Sequence, residues 1–311
     1  LGAMVGAAAY FVISADHRSG LPPITLAAGG LVFASVVFWL AAAVLFPASR
    51  LLSRSEGKKP ALPAEEQQRQ KKLLRKAGLL CGTLLFFASA IQQVGLIYTT
   101  AGKASFITAL YIVLVPVIGI FLRQRTGLQA WSGVALATFG LYLLTVTESF
   151  TIAGGDLIVL VSALFWGLHV LAIGHFSPAL NAIKLAMTQI VVCAAFSTIG
   201  AFLVEEPTWP AIVSGAIPIL YAGILSGGVA YTFQILGQRH TSPTIASLLL
   251  SMEAVFGALF GYLLLEEIMS GRELLGCALM FVAIVISQLP GRSAPLPVTV
   301  EAALGEGSPK E

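Results

Sequence analysis

The feature that most constrains this sequence is a series of long apolar runs separated by short charged stretches. The run Ile24–Phe46 contains no charged residue. Only 11% of the chain is charged, whereas soluble domains carry about 25%, and the mean hydropathy is +0.89. In lipid only helices and closed barrels satisfy their own backbone, and runs that are apolar throughout lack the alternation of barrel strands. The sequence therefore predicts an all-α membrane protein.

A transmembrane helix needs about 20 apolar residues, and ten segments meet or approach that length. The ten predicted spans are Leu1–Ser14, Ile24–Phe46, Ala77–Tyr98, Ala104–Leu122, Ala130–Val146, Leu157–Ile173, Leu185–Val204, Ile217–Leu236, Thr244–Leu265 and Leu274–Ser287. Span 1 is short and starts at Leu, so we expect the sequence to begin inside its first helix or to lack a short N-terminal stretch.

The basic residues are distributed unevenly between the two sides. With ten spans, half of the Lys and Arg residues fall in the loop of residues 47–76, and only Arg18, Lys103 and Arg272 fall on the opposite side. Because Lys and Arg accumulate in cytoplasmic loops, we predict that both termini face the cytoplasm. Within that loop, Pro63–Lys76 is predicted as an exposed, charged helix leading into span 3.

The two halves of the chain resemble each other at an offset of 142 residues, which becomes 143 after a one-residue insertion. The matched pairs are Gln92 and Gln234, Gly95 and Gly237, Thr99 and Thr241, Ala104-Ser105 and Ala246-Ser247, Gly119 and Gly261, and Gly133 and Gly276. Each repeat holds five spans, and because five is odd the second copy is inverted relative to the first.

We therefore predict two inverted five-helix repeats, at residues 1–150 and 151–290, followed by a cytoplasmic disordered tail at residues 291–311. Inverted repeats are typical of secondary transporters, whose substrate site lies near the midplane between the halves. This is the strongest link from the sequence to a function.

Several polar residues lie inside the predicted spans and are candidates for binding or coupling. Glu253 in span 9 is the one acidic residue within a span, and a charge at that depth is costly. Its repeat partner is Tyr111 in span 4. The other candidates are Gln92, Gln93, Trp166, His169, Gln189 and Gln234. An interhelical hydrogen bond for each Gln and core packing for the Trp–His pair remain open as structural interpretations. Together the side chains suit a small polar or zwitterionic solute.

Glycine and proline positions predict close packing and one hinge. The pairs Gly78/Gly82, Gly223/Gly227 and Gly257/Gly261 each form a GxxxG spacing, which lets helices approach within the chain or in a homodimer. Pro116 in span 4 removes a backbone hydrogen bond, and we interpret it as a gate hinge.

Other classes of function have little support in the sequence. Motifs of serine hydrolases, zinc proteases and P-loop proteins are absent, so we expect no catalytic residues, no cofactor and no direct use of ATP. The cysteines Cys81, Cys193 and Cys277 lie inside apolar runs without paired spacing, which favours core packing over a metal site. We expect the bilayer and a small solute as partners, and no nucleic acid.

Three segments resemble a known family. Gln92–Leu122 resembles the third and fourth helices of an EamA-type permease of the drug/metabolite transporter superfamily. Leu160–Pro178 resembles the opening of that family's second repeat, and Ala230–Glu267 resembles its eighth and ninth helices. Ala254 follows Glu253 where the family often has proline, so a kink there does not follow from the sequence.

The resemblance implies a ten-helix inverted-repeat carrier in a bacterial inner membrane that commonly exports amino acids or other small metabolites or drugs. It does not fix the substrate. A passive channel for small solutes remains the alternative, and a membrane-embedded enzyme is the least favoured reading.

Overall fold

The computed structural model describes residues 63–99, 101–124, 126–146, 154–204, 206, 208–214, 216–256, 259, 262 and 270–289. Every regular element in these ranges is helical, which confirms the all-α class for this part of the chain. The α-helices are α1 Ala64–Leu96, α2 Ala101–Ala109, α3 Tyr111–Phe121, α4 Leu128–Thr145, α5 Gly154–Phe176, α6 Ala182–Val204, α7 Trp209–Ser214, α8 Ala216–Tyr221, α9 Tyr231–Gln238, α10 Pro243–Leu250 and α11 Gly271–Gln288.

Among the described residues, six helical segments are long and apolar enough to cross a membrane. They are Ala64–Leu96, Ala104–Phe121, Leu128–Thr145, Gly154–Ala179, Ala182–Val204 and Gly271–Gln288. They correspond to predicted spans 3 to 7 and 10. Predicted spans 1 and 2, most of the loop 47–76 and the tail 291–311 lie outside the described residues. The described segments support a multi-pass membrane protein.

Predicted spans 8 and 9 are built from shorter pieces. In span 8, a π-helix, Ala222–Ala230, joins α8 to α9 without a break. π-Helical turns are rare and often occur at functional sites. Span 9 begins with α10, and the shorter apolar segment Pro243–Phe256 covers its first part. The chain is thus least regular in the two spans that contain Gln234 and Glu253.

The predicted charged helix before span 3 is part of the span's own helix. α1 is continuous over 33 residues, which corresponds to about 50 Å of helix, more than a hydrocarbon core of about 30 Å. Glu65 and Glu66 lie in its first turn, where carboxylates interact favourably with the helix dipole. From Leu73 onward one face is buried, so the charged start of α1 extends beyond the packed part of the bundle.

Helices α4 and α11 begin and end 143 residues apart and pack against each other through small residues. A Cβ atom added to Gly140 would lie 2.8 Å from the Gly276 carbonyl oxygen, and one added to Gly276 would lie 2.6 Å from the Gly140 oxygen. A Cβ on Gly133 would lie 2.9 Å from the Ala283 oxygen. In the repeat, Gly133 is equivalent to Gly276 and Gly140 to Ala283, so the contacts between the two helices are reciprocal.

The first GxxxG pair packs within the chain. A Cβ atom on Gly78 would collide with Thr188, and one on Gly82 would lie 2.6 Å from the Gln189 carbonyl oxygen. Both contacts are with α6. Gly78 and Gly82 therefore bring α1 and α6 close together, in agreement with the intrachain interpretation of this spacing.

Candidate functional site

Two apolar helices are interrupted at equivalent points of the repeat. The helix of span 4 ends at Ala109, turns at Leu110 and resumes at Tyr111. The helix of span 9 ends at Leu250 and resumes at Glu253. Tyr111 and Glu253, which the repeat offset pairs, are thus each the first residue of a resumed helix.

The backbone hydrogen bonds at the two interruptions also match. The Leu110 N–H donates to the Ile107 carbonyl over 3.2 Å, and the Met252 N–H donates to the Leu249 carbonyl over 3.2 Å. Both bonds have the three-residue spacing of a 3₁₀ turn, and they are 142 residues apart. The same local backbone arrangement therefore occurs in both halves.

The two interruptions differ in their local chemistry. Pro116 lies inside α3 and has no N–H, so the Ile112 carbonyl loses its usual helical donor and the preceding turn loosens. Span 9 has no proline at that place. There, the Ser247 hydroxyl donates to the Thr244 carbonyl over 2.8 Å and the Ser251 hydroxyl to the Leu248 carbonyl over 2.7 Å. Such side-chain bonds can bend a helix, although the Ser162 hydroxyl makes the same kind of bond within the continuous α5.

The interruptions place three ionisable side chains close together. Tyr111 is buried, and its hydroxyl interacts electrostatically with Glu253 and Tyr231. Glu253 itself is partly buried. Tyr111 also packs near Gly167 of α5, where a Cβ atom would lie 3.8 Å from the Tyr111 Cβ. Residues from spans 4, 6, 8 and 9 therefore meet in one region of the bundle.

Three aromatic rings from α5 and α9 form a compact group, which we call the ring cluster: Trp166, His169 and Tyr231. The Trp166 and Tyr231 rings are nearly parallel, with an interplanar angle of 7° and centroids 6.5 Å apart. The His169 ring is almost perpendicular to both, with centroids 6.1 Å from each. The predicted Trp–His face of span 6 thus contacts span 8 through Tyr231.

Gln92 of α1 connects the ring cluster to α2. The Trp166 Nε1–H donates to the Gln92 Oε1 over 3.1 Å, and the Gln92 Nε2–H donates to the Thr108 hydroxyl over 3.0 Å. The Gln92 amide therefore holds the Trp166 indole through its oxygen and is itself held by Thr108 through its nitrogen. Gln93 follows it on α1 and is also partly buried.

His169 and Gln189 form a fully buried pair between α5 and α6, with 3.1 Å between His169 Nε2 and Gln189 Oε1. A carbonyl oxygen only accepts, so in this arrangement His169 Nε2 carries the proton. His169 Nδ1 and Gln189 Nε2 have no hydrogen-bond partner among the described residues. If the amide is turned over, donor and acceptor exchange roles. In either arrangement the pair leaves one donor and one acceptor unpaired.

Gln234 occupies a different environment from its repeat partner Gln92. The Gln234 Nε2–H donates to the Gln238 Oε1 over 3.3 Å, and the Gln238 Nε2–H donates to the Val170 carbonyl over 3.2 Å. Gln234 is therefore the first member of a chain of amides that joins α9 to α5. Gln92 is thus hydrogen-bonded directly to the ring cluster, whereas the hydrogen bond that Gln234 donates goes to Gln238.

A second carboxylate, which is buried, lies directly before predicted span 6. Asp156 is in the first turn of α5 and is only 6% exposed, although it was expected just outside span 6. The Thr99 hydroxyl donates a hydrogen bond to it. The N-terminal dipole of α5 and this bond both stabilise a carboxylate at that place, which explains why Asp156 is tolerated inside the packed bundle.

Sequence reasoning missed two members of the site. Tyr231 lies three residues before Gln234 and so on the same side of its helix, a spacing that could have revealed it. Thr108 carries no such signal, because a single Thr in an apolar helix usually bonds its own backbone. Among the described residues, no group of three His, Cys, Asp or Glu side chains is arranged to hold a metal ion.

The described part of the chain, with its multiple membrane-spanning helices, broken helices and buried polar cluster, has the architecture of a membrane transporter. The model of the EamA-like transporter family matches residues 1–146 and 153–288. The chain therefore belongs to the EamA-like transporter family, within the drug/metabolite transporter superfamily, and its membership identifies a non-enzymatic transporter.

Two known proteins are similar to this chain. One, from Archaeoglobus fulgidus and described as an uncharacterized transporter, is 34% identical over 216 residues, which cover 69% of each protein. The other is a protein of known crystal structure that is 18% identical, with a TM-score of 0.72 over 94% of this chain and 96% of that one. At that identity the likeness concerns the fold alone.

Proposed function

We propose that this protein is a secondary-active exporter of amino acids or other small metabolites, including drugs, that works by alternating access. In this proposal a proton and the solute compete for the carboxylate of Glu253. A proton bound from one side of the membrane leaves when the solute binds from the other, so the proton gradient drives export.

The observation that carries the proposal is the position of Tyr111 and Glu253 at equivalent interruptions of two helices. Transporters commonly place their substrate and ion sites at broken helices near the midplane, between two repeats. A carboxyl group inside a membrane is costly, and this one interacts electrostatically with the buried Tyr111. Glu253 is therefore the coupling residue that the arrangement favours.

The reciprocal packing of α4 and α11 supports two inverted repeats, at residues 1–150 and 151–290. Contacts in which one residue pair mirrors the other are those of a two-fold axis, here relating two halves of one chain. Inverted halves that exchange conformations expose a central site alternately to the two sides. Span 1, span 2 and the tail 291–311 complete this organisation in the proposal.

The location in the proposal follows from the distribution of charge. Both termini and the loop 47–76 face the cytoplasm, because nearly all basic residues then lie on that side. The family commonly occupies a bacterial inner membrane, and we place this chain there. A homodimer is compatible with the remaining GxxxG pairs, while Gly78 and Gly82 are already used within the chain.

Counterflow in proteoliposomes tests the proposal and separates it from a passive channel. Vesicles containing the full chain are loaded with an unlabelled mixture of amino acids, and the labelled mixture is added outside at low concentration. A carrier concentrates label transiently in exchange for unlabelled solute, whereas a channel only equilibrates it. Label that enters without an overshoot would favour the channel, and label that does not enter at all would exclude amino acids as substrates.

A further inference from the structure

We infer that the transported solute carries a protonated amine, which binds against the ring cluster of Trp166, His169 and Tyr231 with Glu253 as its counter-charge. The inference rests on the proposed transport function and narrows it to a substrate class. It excludes solutes whose only charge is negative.

The geometry of the ring cluster suits a cation. The three ring centroids are 6.1, 6.1 and 6.5 Å apart, so a group placed over their centre lies within about 6 Å of all three, the range of cation–π attraction. Two of the rings are parallel and the third is perpendicular. Aromatic rings grouped at such distances are the elements from which binding sites for ammonium groups are built.

The charge around the ring cluster points the same way. Tyr111 interacts electrostatically with both Glu253 and Tyr231, so it links the carboxylate to one ring of the cluster. In the part of the chain that the structure describes, the basic residues of α1 all precede Ala77. The other Lys and Arg residues lie near helix ends or in loops, as at Lys184 and Arg272. A carboxylate without a basic neighbour at its own depth creates a negative field that favours a cationic ligand.

Two buried polar atoms without hydrogen-bond partners among the described residues are an independent observation. His169 Nδ1 belongs to the ring cluster itself, and it and Gln189 Nε2 have no partner among the described residues although both side chains are fully buried. One of the two atoms accepts and the other donates. An ammonium group would donate a hydrogen bond to the accepting atom. An adjacent carboxylate or carbonyl group, as in an amino acid, would accept one from the donating atom.

A set of three probes with the same pentyl chain tests the charge requirement without any change in the ring cluster. The purified full chain carries Trp166 as its single Trp, with the other three replaced by Phe, and fluorescence reports binding. We expect n-pentylammonium to bind at least tenfold more tightly than 1-pentanol or hexanoate. Equal binding of pentanol would show that the cluster recognises only apolar surface, and tighter binding of hexanoate would reverse the sign of the site; either result overturns the inference.

Substitutions at Tyr231 test whether the ring face is responsible. Tyr231→Phe keeps the aromatic face, so n-pentylammonium affinity should stay within about threefold of the original, whereas Tyr231→Leu should weaken it about tenfold. Equal affinities in these two variants would contradict the inference. If Tyr231→Leu fails to fold, the inference can still be refuted, because the comparison of the three probes needs no change at Tyr231.

The failure of this inference differs from failure of the proposed function. In one outcome, the reconstituted protein shows counterflow of neutral or anionic solutes and yet neither binds nor transports n-pentylammonium. That result would support the transport proposal and refute the inference that the solute carries an amine. If n-pentylammonium binds but no solute shows counterflow or proton-driven movement, the amine site stands and secondary transport is wrong.

Discussion

Tyr111 and Glu253 occupy the same position in the two halves of this protein: each follows a helix interruption, and the two side chains interact electrostatically. One half therefore contributes an acid and the other a hydroxyl to a single place. A two-fold relation between the halves would otherwise put identical groups there. The asymmetry supplies one titratable carboxyl group, which is what exchange of a proton for a solute requires.

Replacement of Gly276 by Ala should destabilise the protein. The added methyl group would lie 2.6 Å from the Gly140 oxygen and 2.8 Å from the Leu144 backbone nitrogen, and backbone atoms cannot move aside easily. We expect a loss of about 1–3 kcal/mol in the free energy of unfolding, seen as a lower unfolding temperature in detergent. Gly237→Ala is the control, because nothing lies within 4 Å of its Cβ position. Equal unfolding temperatures for the two variants would argue against the close α4–α11 contact.

Much of the fold was predictable because lipid imposes simple rules. Apolar runs identified the six described long spans, and the ends of α4 and α11 are separated by the same 143 residues as the later part of the sequence repeat. The interruption before Glu253 was not predictable from a proline, because none lies at that place; there the hydroxyls of Ser247 and Ser251 donate to backbone carbonyls. Serine is common in membrane helices, and only the structure shows which carbonyl each hydroxyl takes.

The sequence predicted which residues form the candidate site better than it predicted which of them contact each other. Trp166 and His169 share a helix face, as their spacing predicts, but their contact with Tyr231 depends on how α9 packs against α5. The repeat suggested equivalent roles for Gln92 and Gln234, yet their hydrogen bonds differ. A repeat in sequence fixes the position along a helix and leaves the neighbours across the bundle to be determined by the fold.

Pro116→Ala should restore the helical hydrogen bond to Ile112 and stiffen span 4. If the interruption before Tyr111 acts as a hinge, counterflow should slow by roughly threefold or more while the unfolding temperature is unchanged or higher. Pro178→Ala serves as a control, because Pro178 lies in the 3₁₀ turn after α5 and interrupts no long helix. An unaltered rate in Pro116→Ala would remove the hinge from the mechanism.

Gln92→Leu should weaken solute binding, because it removes the acceptor that holds the Trp166 indole. We expect the half-saturating solute concentration in counterflow to rise about tenfold, with little change in stability, since single hydrogen bonds in membranes contribute under about 1 kcal/mol. Gln234→Leu is the matched control, and we expect less than about a threefold rise. The account is contradicted if the Gln234 variant shows the larger effect.

Orientation can be tested by labelling cysteines in intact cells after the three native cysteines have been replaced. Cysteines at Ser55 and Ser308 should resist an impermeant thiol reagent, because the positive-inside rule places both in the cytoplasm. A cysteine at the exposed Glu206 should be labelled. Ready labelling at Ser55 or Ser308 would mean that the span count or the orientation is wrong.

The central claim is that Glu253 couples proton movement to transport, and Glu253→Gln tests it most directly. Gln keeps the shape and hydrogen-bonding capacity of the side chain but does not titrate. The measurement is uptake into proteoliposomes of a labelled amino acid that the original protein exchanges, with and without an imposed pH gradient. We predict that the variant folds normally and loses pH-driven accumulation by at least about tenfold, a barrier difference of about 1.4 kcal/mol, while exchange of solute for solute persists. Accumulation with an unaltered dependence on pH would show that Glu253 is structural and that coupling occurs elsewhere.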